Sequence, residues 1–283
     1  LYLELLINRN NFKDSSQFLR ASFFLYIYIG QKVITIKIME ENKFSFPTEV
    51  VDLPSKGLIY PETSPLSSGT VEMKYMTARE EDILTNQSYI QKGTVLDKLL
   101  ESLIVTKGVN VKDLIVGDKN ALFVAARVLG YGKDYSFNYA GEEITVDLSK
   151  VENKLFDESQ VIKGVNEFSY TLPNSNNKIT FKILTGNDET NIDKEIEGLK
   201  KINKDFSPEL STRLKYMITS VNGERDPKII REFVDNYLLA KDSRALREHI
   251  KNTQPDVDLT FTTDSGVEVA IPIGINFFWP DAG

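Results

Sequence analysis

LPSKGLIYPETSPLSSGTVEMKYMTAREEDILTNQSYIQKGTVLDKLLESL, residues 53–103, places an irregular arm ahead of two signposted helices. Pro54, Gly57, Pro61, Pro65 and Gly69 fall within sixteen residues. Proline removes a backbone donor and glycine loosens the chain, so regular structure is forbidden there and the arm is expected to lie extended. Val71–Met76 reads as a short strand. Thr77-Ala-Arg-Glu80 is a capping box, in which hydroxyl and carboxylate each satisfy an orphan amide, and Thr94-Val-Leu-Asp97 repeats the cue in its acidic variant. Leu96, Leu99, Leu100, Leu103 and Ile104 then fall on one face of a helix, which is core.

Upstream, Phe44–Leu53 alternates as a short strand would. The chain opens on Leu1, and its first methionine, Met39, reads as the true start. Residues 1–38 hold five basic and two acidic side chains, a local +3 that leaves −10 of the total −7 on residues 39–283. They read as an added or mistranslated extension, with a genuine extra strand or helix and a targeting segment as alternatives. The apolar run Ala21–Ile29 is nine residues, about half of the ~20 that a membrane-spanning helix needs. An Ala-x-Ala cleavage site is missing.

Downstream, Asp118 is placed to cap a third helix whose body, ALFVAARVL, is apolar almost all round, with Gly130 as its left-handed stop. Arg127 inside it reads either as a buried cation paired with an acid or as one that snorkels toward a partner. Two hairpins follow, one turning at Ala140-Gly141 and one joining Phe168–Leu172 to Lys178–Leu184. Three further helices are marked by Ile192, Ile196, Leu199, Ile202 and Phe206; by Leu210, Leu214, Met217 and Ile218, stopping at Asn222-Gly223; and by Ile230, Phe233, Tyr237 and Leu238 after Asp226-Pro227. A fourth spans Asp242 to about Lys251, and a last hairpin turns about Asp264-Ser265-Gly266. The fold class is α+β: two helical groups interrupted by antiparallel β-hairpins in a single compact domain with an extended N-terminal arm. Its parts are 39–133 (arm and helices), 134–185 (hairpins), 186–252 (helices) and 253–283 (terminal hairpin and tail).

Composition removes several functions. With no cysteine and only His249, disulfides, thiolate nucleophiles and Cys/His zinc sites are absent. Net charge −7 opposes binding to phosphate backbones and anionic membranes. No phosphate-loop, dinucleotide, nucleophile-elbow or zinc-helix spacing occurs; Gly130-Tyr-Gly132 lacks the third glycine and follows a helix. His249 reads as a cap on a helix's negative end, with a Ser/His/Asp triad as the alternative. The acidic pairs Glu80-Glu81, Glu142-Glu143 and Asp256/Asp258 read as solvated carboxylates, with acid/base or magnesium work as the alternative. Lys200-Lys201 and Lys178/Lys182 are too thin for a nucleic-acid stripe.

Two stretches are candidate partner-binding sites. In the arm, Tyr60, Pro61, Pro65 and Leu66 either wrap their own domain or strap a partner. At the C-terminus, Phe277, Phe278 and Trp279 either tuck into the core or serve as interface anchors.

The wording of several segments also resembles a known family. Leu53-Pro-Ser-Lys-Gly57, Tyr60-Pro61, Pro65-Leu66, Gly69-Thr-Val-Glu-Met-Lys-Tyr-Met-Thr77, Glu80-Glu-Asp-Ile-Leu84, Arg127-Val-Leu-Gly-Tyr-Gly132, Ser220-Val-Asn-Gly223 and Phe277-Phe-Trp-Pro280 resemble the baseplate hub assembly proteins of T-even-type contractile-tailed bacteriophages. The resemblance runs from about residue 45 to the end. It implies an assembly factor or structural component of the tail baseplate hub, binding hub proteins in the host cytoplasm during assembly or staying in the virion tail. It implies no catalytic residue to carry over, and no cofactor, metal, nucleic acid, membrane or small-molecule substrate is expected. It further implies cysteine pairs in relatives near turns such as Tyr139–Gly141 and Thr263–Gly266, where this chain has none. The competing readings are a carboxylate- and magnesium-dependent hydrolase and a DNA-binding regulator.

Overall fold

Residues 1–46 and 47–283 form separate units of the structure, a computed structural model that describes residues 23–29, 32–38, 47–202, 208–263 and 266–278. In the first unit β1 (Phe23–Ile29) and β2 (Lys32–Ile38) pair antiparallel, Phe23 opposite Ile38. The strand alternative for residues 1–38 thus takes the form of a hairpin. The readings of residues 1–22 and of a start at Met39 lie outside the described residues.

The second unit is mixed α+β. Its β3 (Thr48–Asp52) pairs antiparallel with β4 (Thr70–Lys74), Asp52 opposite Thr70. That register brings the two ends of the arm side by side, and Leu53 N donates to Gly69 O at 2.8 Å. The arm is therefore a closed loop, where the sequence suggested an extended one. Its turns are set by Gly57 at φ 74° and Gly69 at φ 75°, and by a single turn of 3-10 helix over Pro65–Ser68 capped by Ser64. The glycines also touch: a Cβ on Gly57 would lie 2.6 Å from Gly69 N.

Three helices follow, α1 (Ala78–Leu84), α2 (Gln87–Gln91) and α3 (Val95–Leu103). Glu80 Oε2 accepts from Thr77 N at 2.9 Å and from the Thr77 hydroxyl at 2.7 Å, which anchors α1 where its sequence cue stands. Leu99, Leu100 and Leu103 of α3 are fully buried, as their spacing requires. The short α2, capped by Asn86 Oδ1, carries no buried residue and had no periodic signal.

The long helix α4 (Val116–Tyr131) lies in the core, with Leu122, Phe123 and Ala126 buried. Both of its expected ends move. Ile115 occupies the N-cap position and Asp118 sits inside the first turn, because the Asp118 carboxylate is engaged by the arm. At the other end the helix passes Gly130 and stops at Gly132, φ 87°. Gly130 is a packing glycine, since a Cβ there would meet Met76 Sδ at 2.6 Å.

β5 (Asp134–Tyr139) and β6 (Glu142–Asp147) form the first expected hairpin, with Ala140 at φ 51° and Gly141 at φ 90° in the two-residue turn. β7 (Phe168–Thr171) and β8 (Lys178–Phe181) form the second. After α5 (Gly186–Ile202) and α6 (Glu209–Met217), the chain adds an unforeseen third strand, β9 (Ile218–Val221), to β8. Ile218 therefore ends the helix by starting a strand: its run Ile-Thr-Ser-Val is rich in β-branched side chains. Asn222-Gly223, at φ 51° and 90°, terminates that strand and not a helix.

α7 (Pro227–Asn236) starts at the Asp226 cap, whose side chain accepts from Lys228 N at 2.8 Å. α8 (Ala240–Thr253) follows, and β10 (Thr260–Thr262) and β11 (Glu268–Ala270) close the terminal hairpin; Asp264 and Ser265 at its tip, like Phe206, lie outside the described residues. Ile202 and Tyr237, expected inward, are exposed, the first at the last residue of α5 and the second just past α7. Leu210, expected on the inner face of α6, is also exposed.

Two helical glycines give opposed outcomes for the same substitution. Glycine to alanine in a helix interior stabilises by ~1 kcal/mol when nothing is in the way. Gly198 has open space around it, whereas a Cβ on Gly117 would stand 2.0 Å from Pro255 O. Urea denaturation is expected to show Gly198→Ala shifted to higher midpoint and Gly117→Ala to lower, by about 2 kcal/mol or more.

Candidate functional site

The arm meets the start of α4 through Ser55 and Tyr60, and a buried carboxylate, Asp118, holds them there. Asp118 has no exposed surface. Its Oδ1 accepts from Ser55 N at 2.9 Å, and its Oδ2 accepts from Ser55 Oγ at 2.7 Å and Tyr60 Oη at 2.6 Å. The same Tyr60 hydroxyl accepts from Ile115 N at 3.1 Å, one of the amides that the start of α4 leaves unpaired. Burial pushes the Asp118 carboxyl above its ordinary range, and the bonds from Tyr60 and Ser55 pull against it without restoring it. Burial and the adjacent carboxylate raise the Tyr60 phenol as well.

Four of the seven candidate binding residues are thereby built into the chain's own core. Tyr60 and Leu66 are buried, the first by Asp118 and the second within the loop. Phe277 and Phe278 are fully buried: Phe278 packs edge-on to Phe123 of α4, and Phe277 edge-on to Tyr135 of β5. As free anchors they are corrected to core residues, because burying two large rings against aromatic neighbours removes their apolar surface from water. Pro61 is exposed at the loop tip and Pro65 half-buried. Trp279 lies outside the described residues.

The other singled-out residues also have structural partners. Arg127 is buried, and among the described residues it neither pairs with an acid nor reaches the surface. Its Nη1 and Nη2 donate to the carbonyls of Gly132 and Asp134, at 3.2 and 3.1 Å, just past the end of its own helix, and its guanidinium lies over the Tyr131 ring. His249 faces inward from α8, stacked on Tyr170 at 4.2 Å and edge-on to Phe181, so it is no helix cap; burial lowers its pKa. Glu80 is fully buried and takes bonds from Lys74 at 2.8 Å and Ser102 at 2.6 Å besides Thr77. Burial alone would raise its pKa, but those bonds outweigh it and hold the carboxyl at about 2. Asp256 accepts from Asn120 and from its neighbour's amide, Asp258 from Thr260, while Glu142 and Glu143 are exposed beside a turn. Lys182 is paired with Asp188.

Among the described residues no three His, Cys, Asp or Glu side chains are grouped to hold a metal ion, and no helix is long and apolar enough to cross a membrane. What remains is surface. A shallow groove of about 520 Å³ runs between β3 and α4, lined by Val50, Val51, Val124 and Val128. A second, of about 450 Å³, lies among α6, α7 and α8.

The central role of Asp118 had a partial signal in the sequence: an acid just ahead of an apolar helix. Its partners stand 63 and 58 residues upstream, beyond any local pattern. Asp242 is a parallel case. It sits in the first turn of α8, and its carboxylate accepts from Asn174 N and Ser175 N of the β7–β8 turn at 2.9 and 3.0 Å.

No protein-family model, curated protein or solved structure matches the chain.

Removing the Asp118 acceptor leaves three buried donors without a partner, a loss of about 2–4 kcal/mol. Asp118→Ala is expected to unfold at lower urea and to be cleaved faster by protease at the exposed stretch Pro61–Thr63; Asp118→Asn, which keeps one acceptor oxygen, falls between. Glu80 gives a pH test of opposite chemistry. Its folded pKa is depressed from the ordinary 4.5 to about 2, so its contribution is present above 4.5 and is lost as pH falls toward 2. The stability gap between the wild type and Glu80→Gln is expected to be full at pH 7 and to narrow steadily below pH 4.5; a gap independent of pH would refute this assignment.

Proposed function

We propose that the chain is a non-enzymatic assembly factor or structural component of a T-even-type phage tail baseplate hub, acting by binding other proteins. One observation carries the reading beyond the wording of the sequence. Several of the separated segments that resemble the hub assembly family pack against one helix: Ser55 and Tyr60 on Asp118 of α4, Met76 on Gly130, and Phe278 on Phe123. Residues scattered over more than two hundred positions and sharing one packed unit behave as the specification of a scaffold.

The chemistry of the buried acids supports a role in surfaces. The carboxylates most removed from water, Asp118, Glu80 and Asp242, each spend their acceptors on backbone amides and side chains that hold loops and helix starts in place. A general base needs a carboxylate or imidazole facing a substrate-sized cleft; here the half-buried imidazole is stacked between aromatic rings. The proposed partners are hub proteins, met in the host cytoplasm during assembly or retained in the tail.

Affinity-tagged chain co-expressed with the hub and wedge subunits of a T-even-type phage is expected to bring down a hub subunit at near-stoichiometric yield. A chain that is folded by circular dichroism yet recovers none of them would sink the proposal.

A further inference from the structure

We propose that the groove among α6, α7 and α8, together with the basic face of α8 beside it, docks an acidic amphipathic helix of a partner protein. The groove floor is Leu214 and Val234, both buried, and its rim is formed by Leu210, Leu238 and Arg247. Leu210 is 47% exposed, and Tyr237 and Leu239, flanking Leu238 in the α7–α8 junction, are 61% and 50% exposed. Large apolar side chains left in water around an apolar trough mark a surface that another chain covers.

The charge on α8 identifies the kind of chain. At about 100° per residue, Arg244, Arg247 and Lys251 share one outward face with Lys241 and Glu248 on its flank. All five are exposed. Four cations against one carboxylate make this face +3 on a molecule whose formal charge is −7. On the neighbouring elements the arginines Arg213, Arg225 and Arg231 each hold a carboxylate at 2.6–2.8 Å. Lys241, Arg244, Arg247 and Lys251 have no ion pair among the described residues. Arg247 links the two halves of the surface, since it lines the groove while its Nε donates to Ser243 O at 3.3 Å one turn back along α8.

A trough of this kind takes the apolar stripe of a helix, with residues at i, i+3, i+4 and i+7 as anchors. Carboxylates on the flank of that helix then lie against Arg244, Arg247 and Lys251, adding steering and register. Nucleic acid suits the surface less well, because half of it is apolar and the rest of the molecule repels phosphate. The inference stands on this surface alone and does not require the phage setting.

The test uses a fluorescein-labelled helical peptide of about 16 residues, with Leu at i, i+3, i+4 and i+7 and Glu on its flanks, followed by polarisation. Saturable binding is expected that weakens with added salt and falls at least about tenfold in the Arg244→Glu/Arg247→Glu double variant and in Leu210→Glu. These positions are exposed, and unchanged thermal melts verify that the variants are folded. The proposal is overturned by equal binding of a peptide with Lys in place of every Glu, by no binding into the millimolar range, or by a DNA oligonucleotide competing better than the peptide. It is also overturned if sedimentation shows a dimer of the chain that Leu210→Glu dissociates, which would give the groove to a second copy.

Discussion

A carboxylate with no exposed surface and no ion pair among the described residues has to be held by hydrogen bonds, and at Asp118 that requirement ties the arm, the β3–β4 pair and α4 together. Its three donors come from one loop, and the loop can present them only if its ends are pinned together by the β3–β4 register. Pinning the ends turns what the prolines would otherwise leave extended into a compact lid over the start of α4. The start of α4 in turn borrows the Tyr60 hydroxyl to satisfy the Ile115 amide. Loop, sheet and helix each complete a hydrogen bond that another would leave open, so none of the three is independent of the others.

The same device recurs at Asp242, where the first turn of α8 takes the amides of the β7–β8 turn. In both places a helix start supplies the acceptor and a distant loop the donors. The positive end of the helix favours the negative charge, which offsets part of the desolvation that burial imposes. The outcome differs in sign: burial wins at Asp118, whose pKa is raised, while at Asp242 the bonds from Asn174 and Ser175 overcome burial and its pKa is lowered. A fold built on such contacts uses its buried acidic residues as joints.

Those surfaces are uneven. Several exposed apolar residues sit at helix ends, as with Ile202 at the end of α5, Leu210 at the start of α6, and Tyr237 and Leu239 between α7 and α8. A helix end escapes the constraint that periodicity imposes on its middle, because the chain can turn a side chain outward there without disturbing the stripe. That freedom explains why the inward faces of α3 and α7 follow their spacing while the terminal members of the α5 and α7 series do not.

From the sequence alone come the α+β class, the capping box of α1, the buried stripe of α3, the Ala140-Gly141 hairpin and the start of α7 at Asp226-Pro227. Each depends on contacts within a few residues, where backbone geometry and periodicity suffice. Tertiary structure alone decided that the arm closes, that Asp118 locks it and does not cap, that Gly130 packs against Met76 and does not stop a helix, that Ile218 joins a strand, and that Phe277 and Phe278 serve the core. Every one of these depends on a partner tens to more than a hundred residues away. A carboxylate, a glycine or a ring looks the same in the sequence whether its partner is water, a neighbouring amide or a distant wall of the core; which of these it meets is settled only when the chain has closed on itself.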